Sequence, residues 1–187
     1  MPRRRVAEKR QILPDPKYKS KTVGMLVNCI MQHGKKSLAF KIVYGAFNQI
    51  ATQFQGRFAE TQTAESPVVS AEQMPLVVFK RGLEHMKPTL EVQARRVGGG
   101  TYQIPRPVPP ARRVALALRF LKKAAITRKK SVVFTRDDKK MMMKLLALEI
   151  MDAYDSKGGA VKMCQDMHRM AKANQAYVHF RLSSKPS

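Results

Sequence analysis

A mostly α-helical bundle of about six helices, with one protruding β-hairpin and a basic N-terminal arm, is the fold this sequence predicts. Three observations lead to it. Successive stretches place apolar residues at helical spacing. One stretch alternates with a period of two around three consecutive glycines. The first 19 residues are crowded with arginine, lysine and proline.

Residues 1–19 hold Arg3, Arg4, Arg5, Lys9, Arg10, Lys17 and Lys19, broken by Pro2, Pro14 and Pro16. A stretch of that composition offers too little apolar surface to offset its chain entropy, so it reads as a basic arm. A single helical domain is expected over 20–182, with 183–187 as a tail. Its first helix places Val23, Leu26, Val27 and Ile30 on one stripe, and Gly34 is positioned to end it. The second stripe is Ala39, Ile42, Val43, Ala46 and Ile50, with Ser37 as N-cap. Residues from about 57 to 73 lose the pattern among Thr, Gln, Ser and Pro67, and read as an exposed insertion. Pro75 suits the first turn of a third helix, where its missing N–H costs nothing. Leu76, Phe79, Leu83 and Met86 form that helix's stripe, and Pro88 marks its end.

The period then drops to two. Leu90, Val92 and Ala94 alternate with Glu91, Gln93 and Arg95, and Thr101-Tyr102-Gln103-Ile104 resumes the run after Gly98-Gly99-Gly100. This is a hairpin over about 89–106, its glycines supplying the positive φ of the turn; Pro105, Pro107, Pro109 and Pro110 end it. A fourth helix carries Val114, Ala117, Leu118, Leu121 and Ala125. A second insertion is expected at about 128–138. There Arg128, Lys129 and Lys130 make either a further contact or a solubilising loop, and Asp137-Asp138 cap a helix start. Met143, Leu146, Ala147, Ile150 and Tyr154 give the fifth stripe, ended near Gly158-Gly159. The last helix runs from about Ala160 to Asn174.

Charge decides the class of partner. Among 187 residues, 36 Lys and Arg stand against 13 Asp and Glu, an excess of +23. So much like charge repels itself unless a polyanion neutralises it, and nucleic acid gains further from counterion release. No apolar run approaches the roughly 20 residues that span a bilayer. The N-terminus lacks a secretory signal or an organelle presequence, which predicts that the protein works where it is made or that a targeting segment is not part of the sequence. Cys29 and Cys164 stand far apart outside any CxxC and read as reduced, packed residues.

Catalytic and cofactor readings fail on spacing. The triple glycine is followed by a strand, not by the Lys, Ser/Thr and helix of a phosphate loop. His33, His85, His168 and His179 have no metal-ligand spacing, and His168 reads as a packed or hydrogen-bonded helix residue. No pair of titratable groups suggests acid–base work. The methionines, Met141-Met142-Met143 included, read as core filler. The hairpin is more informative. Arg95 and Arg96 precede its turn, Tyr102 follows it and Arg106 lies beyond. Cations answer phosphates and an aromatic face stacks on an unpaired base, so RNA contact is expected there. Arg112 and Arg113 open a helix against its dipole, a penalty that an external anion would relieve.

Several ordered stretches together resemble a known family. MPRRR and ILPDPKY begin the chain, and MQHGKKSLAFKIVYGA spans the first two helices. MKPTLEVQARRVGGGTYQIP forms the hairpin, ARRVALALRFL follows, and MDAYDSKGGAVK and DMHRMAKANQAYVHFR come near the end. Over nearly its whole length the chain resembles protein seven of the small ribosomal subunit, bacterial or organellar type. The resemblance implies a helical bundle with an extended hairpin and no enzymatic activity, metal or cofactor. Such a protein binds the 3′ major domain of small-subunit rRNA, organises head assembly, and holds its hairpin near the exit-site tRNA and messenger path. Neighbouring head and platform proteins, such as proteins nine and eleven, are implied partners, and a membrane is not. The implied setting is the ribosome, in a bacterial cytoplasm or an organelle interior (mitochondrial matrix or plastid stroma).

Carried onto this sequence, the implied rRNA contacts are Arg3, Arg4, Arg5 and Arg10 in the arm, then Lys35 and Lys36. Arg95, Arg96, Gly98, Gly99, Gly100 and Tyr102 form the hairpin near tRNA and messenger, and Arg112, Arg113 and Arg119 lie on the next helix. Arg169, Lys172, Asn174 and Arg181 follow near the C-terminus. The chain departs from the family at the two longer segments, at Phe120 and near Leu182, where tryptophan is common, and in its tail of Ser183-Ser184-Lys185-Pro186-Ser187. The alternative on charge alone is an architectural double-stranded-DNA-binding protein. That would present a helix or ribbon to a groove, usually from a dimer, and no such recognition helix stands out.

Overall fold

The computed structural model describes residues 11–61, 73–128 and 141–181, without the side chains of 54–61 and 181. Arg3, Arg4, Arg5, Arg10, most of both expected insertions and the tail lie outside the described residues. Among the described residues, six α-helices and one antiparallel hairpin follow in order. They are α1 (Lys21–Ile30), α2 (Lys36–Thr61), α3 (Met74–Met86), β1 (Leu90–Val97), β2 (Gly100–Pro107), α4 (Pro110–Arg128), α5 (Met141–Tyr154) and α6 (Gly158–Ala173). A short 3₁₀ helix, Gln175–Arg181, completes the described chain.

The predicted stripes are the core. Val23, Leu26, Val27 and Ile30 of α1, with Val43, Ala46, Phe47 and Ile50 of α2, are buried against Phe79, Leu83 and Met86 of α3. Leu121 and Ala125 of α4 and Leu146 and Ile150 of α5 close the same cluster. Gly82 lets α3 ride close to α5, since a Cβ there would stand 3.3 Å from the Ile150 carbonyl.

The arm ends sooner than its composition predicts. Asp15 is only 2% exposed. Its carboxylate accepts the Tyr18 N–H at 3.0 Å and the Tyr44 hydroxyl at 2.8 Å. The Tyr18 ring meets Phe47 edge-on at 5.2 Å, and Lys17 Nζ lies 5.4 Å from the centre of the Tyr18 ring. The chain also crosses α1 at Gly24, where any side chain would collide with the Leu13 carbonyl. One buried carboxylate and one aromatic ring thus dock a segment whose overall composition is that of an arm.

Several boundaries move for local reasons. α1 stops at Ile30, and Gly34 sits in the following turn with φ +72 beside His33 at +51. Ser37 lies inside α2; the Lys35 carbonyl receives the Ala39 N–H, so Lys35 stands at the helix entrance. α2 runs on to Thr61, through the expected start of the first insertion, because a long helix carries Gly56 at a cost of about 1 kcal/mol. Pro105 does not end β2. Val108 N–H bonds across to the Thr89 carbonyl, so by the alternation of the ladder Pro105 and Pro107 fall where a backbone N–H would point outward.

At the expected start of the second insertion stands the last residue of α4. Arg128 closes α4 and its guanidinium reaches Glu149 at 3.1 Å and Asp152. Glu149 is 2% exposed, and its other oxygen accepts the Ala160 N–H at 2.8 Å. That carboxylate, reaching over from α5, supplies the capping acceptor that Lys157 lacks, and α6 therefore begins at Gly158 rather than near Ala160. Gly158 takes φ +92 with Glu149 Oε1 only 2.9 Å from where its Cβ would be. Burial disfavours the charge of Arg128, but the two carboxylates outweigh it and hold the guanidinium above its ordinary range.

Two predictions test these joints. Glu149→Ala leaves the Ala160 N–H without its acceptor and Arg128 held by Asp152 without Glu149, and lowers stability by about 1–3 kcal/mol in urea unfolding, with Glu149→Gln losing less. Tyr44→Phe removes one of the two partners of the Asp15 carboxylate and costs about 1–3 kcal/mol. Burial and the Asp15 hydrogen bond push the Tyr44 hydroxyl up to about 12. Its contribution is therefore complete below the unfolded value of about 10 and is lost as pH rises through the folded one. Melts between those pH values will fall more steeply for the wild type than for the phenylalanine variant.

Candidate nucleic-acid interface

Eight residues pair with eight in the hairpin. Arg95 stands opposite Tyr102, Arg96 opposite Thr101 and Val97 opposite Gly100. Gly98 and Gly99 make the turn with φ of +56 and +88, and a Cβ on either would meet nothing within 4 Å. Two consecutive positive φ values match the right-handed strand twist, which is why glycine is needed there. The tip therefore stands clear of the protein, with Arg96 exposed behind it.

The two faces of the ribbon differ. Tyr102, on the face shared with Arg95, packs against Tyr177 at 5.1 Å and Phe180 at 5.3 Å between ring centres. The expected base-stacking platform is thus already engaged by the 3₁₀ helix, and Tyr102 acts first as a clamp. Tyr177 and Phe180 had no clear sequence signal beyond their i, i+3 spacing.

At the root, α4 begins with a cation already answered from within. Arg112 Nε donates to both oxygens of Glu91, at 3.0 and 2.8 Å, so the anion that relieves the helix dipole is internal. The Arg112 side chain is still about half exposed. Arg113 Nε donates to the Val108 carbonyl at 2.8 Å. Further along the helix, exposed Arg119 and Lys123 follow Arg112 at i+7 and i+11, one stripe of cations. Lys122 donates to the Cys29 carbonyl at 2.8 Å, covering the C-terminal end of α1. Lys35 shares a hollow with Lys122, which also borders Arg119 in the next one. Lys36 is exposed beside the Phe40 ring. Lys35, Arg112, Arg119 and Lys123, scattered in the chain, thus come to one side of the bundle.

The C-terminal residues divide. Arg169 is exposed and paired with Asp166, and Lys172 is exposed in the last turn of α6. Asn174 donates to the Met170 carbonyl at 2.8 Å, which makes it the C-cap of α6 rather than a free contact. Arg181 ends the 3₁₀ helix. Burial pushes both thiols up: Cys164 from the core side, and Cys29 against the opposing pull of Lys122 and Arg119. No cluster of metal-ligating side chains occurs among the described residues, and no described helix is long and apolar enough to cross a membrane. What remains is a cationic surface with an aromatic-braced ribbon, suited to phosphates and grooves.

A family model described as ribosomal protein S7p/S5e matches residues 2–175. The chain is 45% identical to the small ribosomal subunit protein uS7 of Thermodesulfovibrio yellowstonii over 97% of its own length and 99% of the relative's. The corresponding proteins of Dechloromonas aromatica and Marinobacter nauticus are 46% and 44% identical over the same shares.

Replacing Tyr102 with alanine will free the 3₁₀ helix from the ribbon. Amide exchange at residues 175–181 is expected to accelerate by at least about tenfold, while unfolding of the bundle in urea shifts little.

Proposed function

The chain belongs to the ribosomal protein S7p/S5e family, and on that premise we propose that it binds small-subunit rRNA as a structural part of the small ribosomal subunit. The observation that carries the reading is the stripe of exposed Arg112, Arg119 and Lys123, with Lys35 bordering the hollow beside Lys122, on a helical body. A phosphate backbone meets such a surface at several points at once, and each contact releases counterions. Phosphate contacts fix position; shape and unpaired bases supply specificity.

The RNA is the 3′ major domain, held in one conformation while the subunit head assembles. The exposed hairpin tip lies near the exit-site tRNA and the messenger path, and neighbouring proteins, nine and eleven among them, flank the bundle. Arg3, Arg4, Arg5 and Arg10 add phosphate contacts from the N-terminus, and Arg169, Lys172 and Arg181 from the C-terminal end. The one-sided stripe accounts for binding without chemistry, in the ribosome of a bacterium or an organelle.

Salt-titrated binding to a 3′-domain RNA fragment, a scrambled RNA and duplex DNA of equal length tests this. The 3′-domain fragment is expected to keep its advantage as salt rises. Arg119→Gln and Arg96→Gln will each lower the slope of log affinity against log salt by roughly 0.7–0.9 for every phosphate left without its cation. Equal weakening on all three nucleic acids sinks the proposal, and tighter binding to the duplex would favour a DNA-architectural role.

A further inference from the structure

Arg95, Arg96 and the glycine tip are useful only where the ribbon's root aims them. One position beyond the Leu90–Pro107 pair that ends the ladder, Val108 N–H bonds to the Thr89 carbonyl at 3.0 Å. The reciprocal bond of an antiparallel pair is replaced by two side chains from different helices. Arg113 of α4 donates to the Val108 carbonyl, and Thr89 N–H donates to His168 Nε2 of α6 at 2.9 Å. A backbone N–H can only donate, so this ring nitrogen is the unprotonated one and the proton of the neutral imidazole sits on Nδ1. The Thr89 hydroxyl lies 3.2 Å from the same nitrogen. Pro88, buried just before, restricts the backbone of Lys87 leading into the strand.

We propose that His168 is a positioning residue for RNA binding: as side-chain acceptor of the Thr89 N–H, it sets the angle at which the hairpin leaves the bundle. This rests on the RNA-binding reading above and adds to it a residue that touches no RNA. The other polar ties at the root run to α4, from Glu91 to Arg112 and from Val108 to Arg113, whereas His168 ties it to α6. Along the two strands only Ile104 and Pro105 are buried. Eight residues at about 3.3 Å each make a lever of roughly 25 Å, so a tilt of about 10° displaces the tip by about 4 Å, more than a hydrogen-bond length. Arg112 and Arg113 hold one strand each to α4, so loss of His168 removes the tie to α6 and lets the ribbon pivot about α4.

The test compares wild type, His168→Leu and His168→Gln in the full chain. Gln carries an acceptor oxygen that reaches the Nε2 position; Leu fills similar space with none. Two readouts are taken: the exchange and chemical shift of the Thr89 amide in free protein, and affinity for the 3′-domain fragment against scrambled RNA at fixed salt. The expected result is that Leu deprotects Thr89 and lowers cognate affinity by about tenfold, one hydrogen bond's worth, while Gln restores both to within about twofold. Urea unfolding checks that the Leu variant retains the bundle. If Leu loses the bundle, the Thr89→Pro variant removes the donor from the other side and must give the same loss of affinity. A deprotected Thr89 amide with unchanged cognate affinity overturns the positioning role and leaves the RNA reading intact. A wild-type protein without preference for the cognate fragment overturns the RNA reading and the functional half of this one together, whatever the amide does.

Discussion

Glu149 is the joint on which the functional surface depends. Its carboxylate, almost wholly buried, belongs to α5, closes the exposed N–H end of α6 through Ala160 and holds the last turn of α4 through Arg128. A buried charge is tolerated when each of its lone-pair directions finds a donor, and here a cation and a helix N-terminus both answer it. α6 in turn carries His168 under the hairpin root and leads through Asn174 into the 3₁₀ helix that braces Tyr102. The aim of the ribbon is therefore set by a chain of contacts that begins at a single acid in the core.

The same economy governs the other acidic residues. With 13 of them against 36 cations, the acidic residues are too few to pair one to one with the arginines and lysines. The carboxylates go where a cation must be held in place: Glu91 at the entrance of α4, Asp152 beside Arg128, Asp166 beside Arg169. Asp15 does related work on backbone and hydroxyl, pinning the chain against α2. Cations needed for architecture are neutralised within the protein, and Arg96, Arg119, Lys123 and Lys172 are left exposed to an outside polyanion.

The bundle and hairpin were legible because both rest on local periodicity. Val23 to Ile30, Phe79 to Met86 and Leu121 to Ala125 are buried as their spacing requires, and the glycine pair makes the turn its φ values demand. What the sequence hid depends on partners distant in the chain. Glu149 capping a helix eleven residues away, Glu91 answering Arg112, and Tyr177 and Phe180 seated on Tyr102 leave no periodic trace. Asp15 shows how a single buried acid overrides composition, folding the end of a segment that otherwise reads as a free arm. Exposed cations were easier to find than the groups that aim them, because charge is written in one residue and geometry in several.

The clamp on Tyr102 also bears on how the protein comes into being. Synthesis runs from the N-terminus, so both strands of the ribbon leave the translating machinery well before Tyr177 and Phe180 are made. Strand pairing across a two-residue turn is fast, but a lone two-stranded ribbon is marginal in water. The nascent chain thus displays its arginines before it can hold them still, and the surface acquires its fixed shape only when the final turn closes over Tyr102. A product cut short before that turn keeps the charge and loses the aromatic brace that fixes the ribbon.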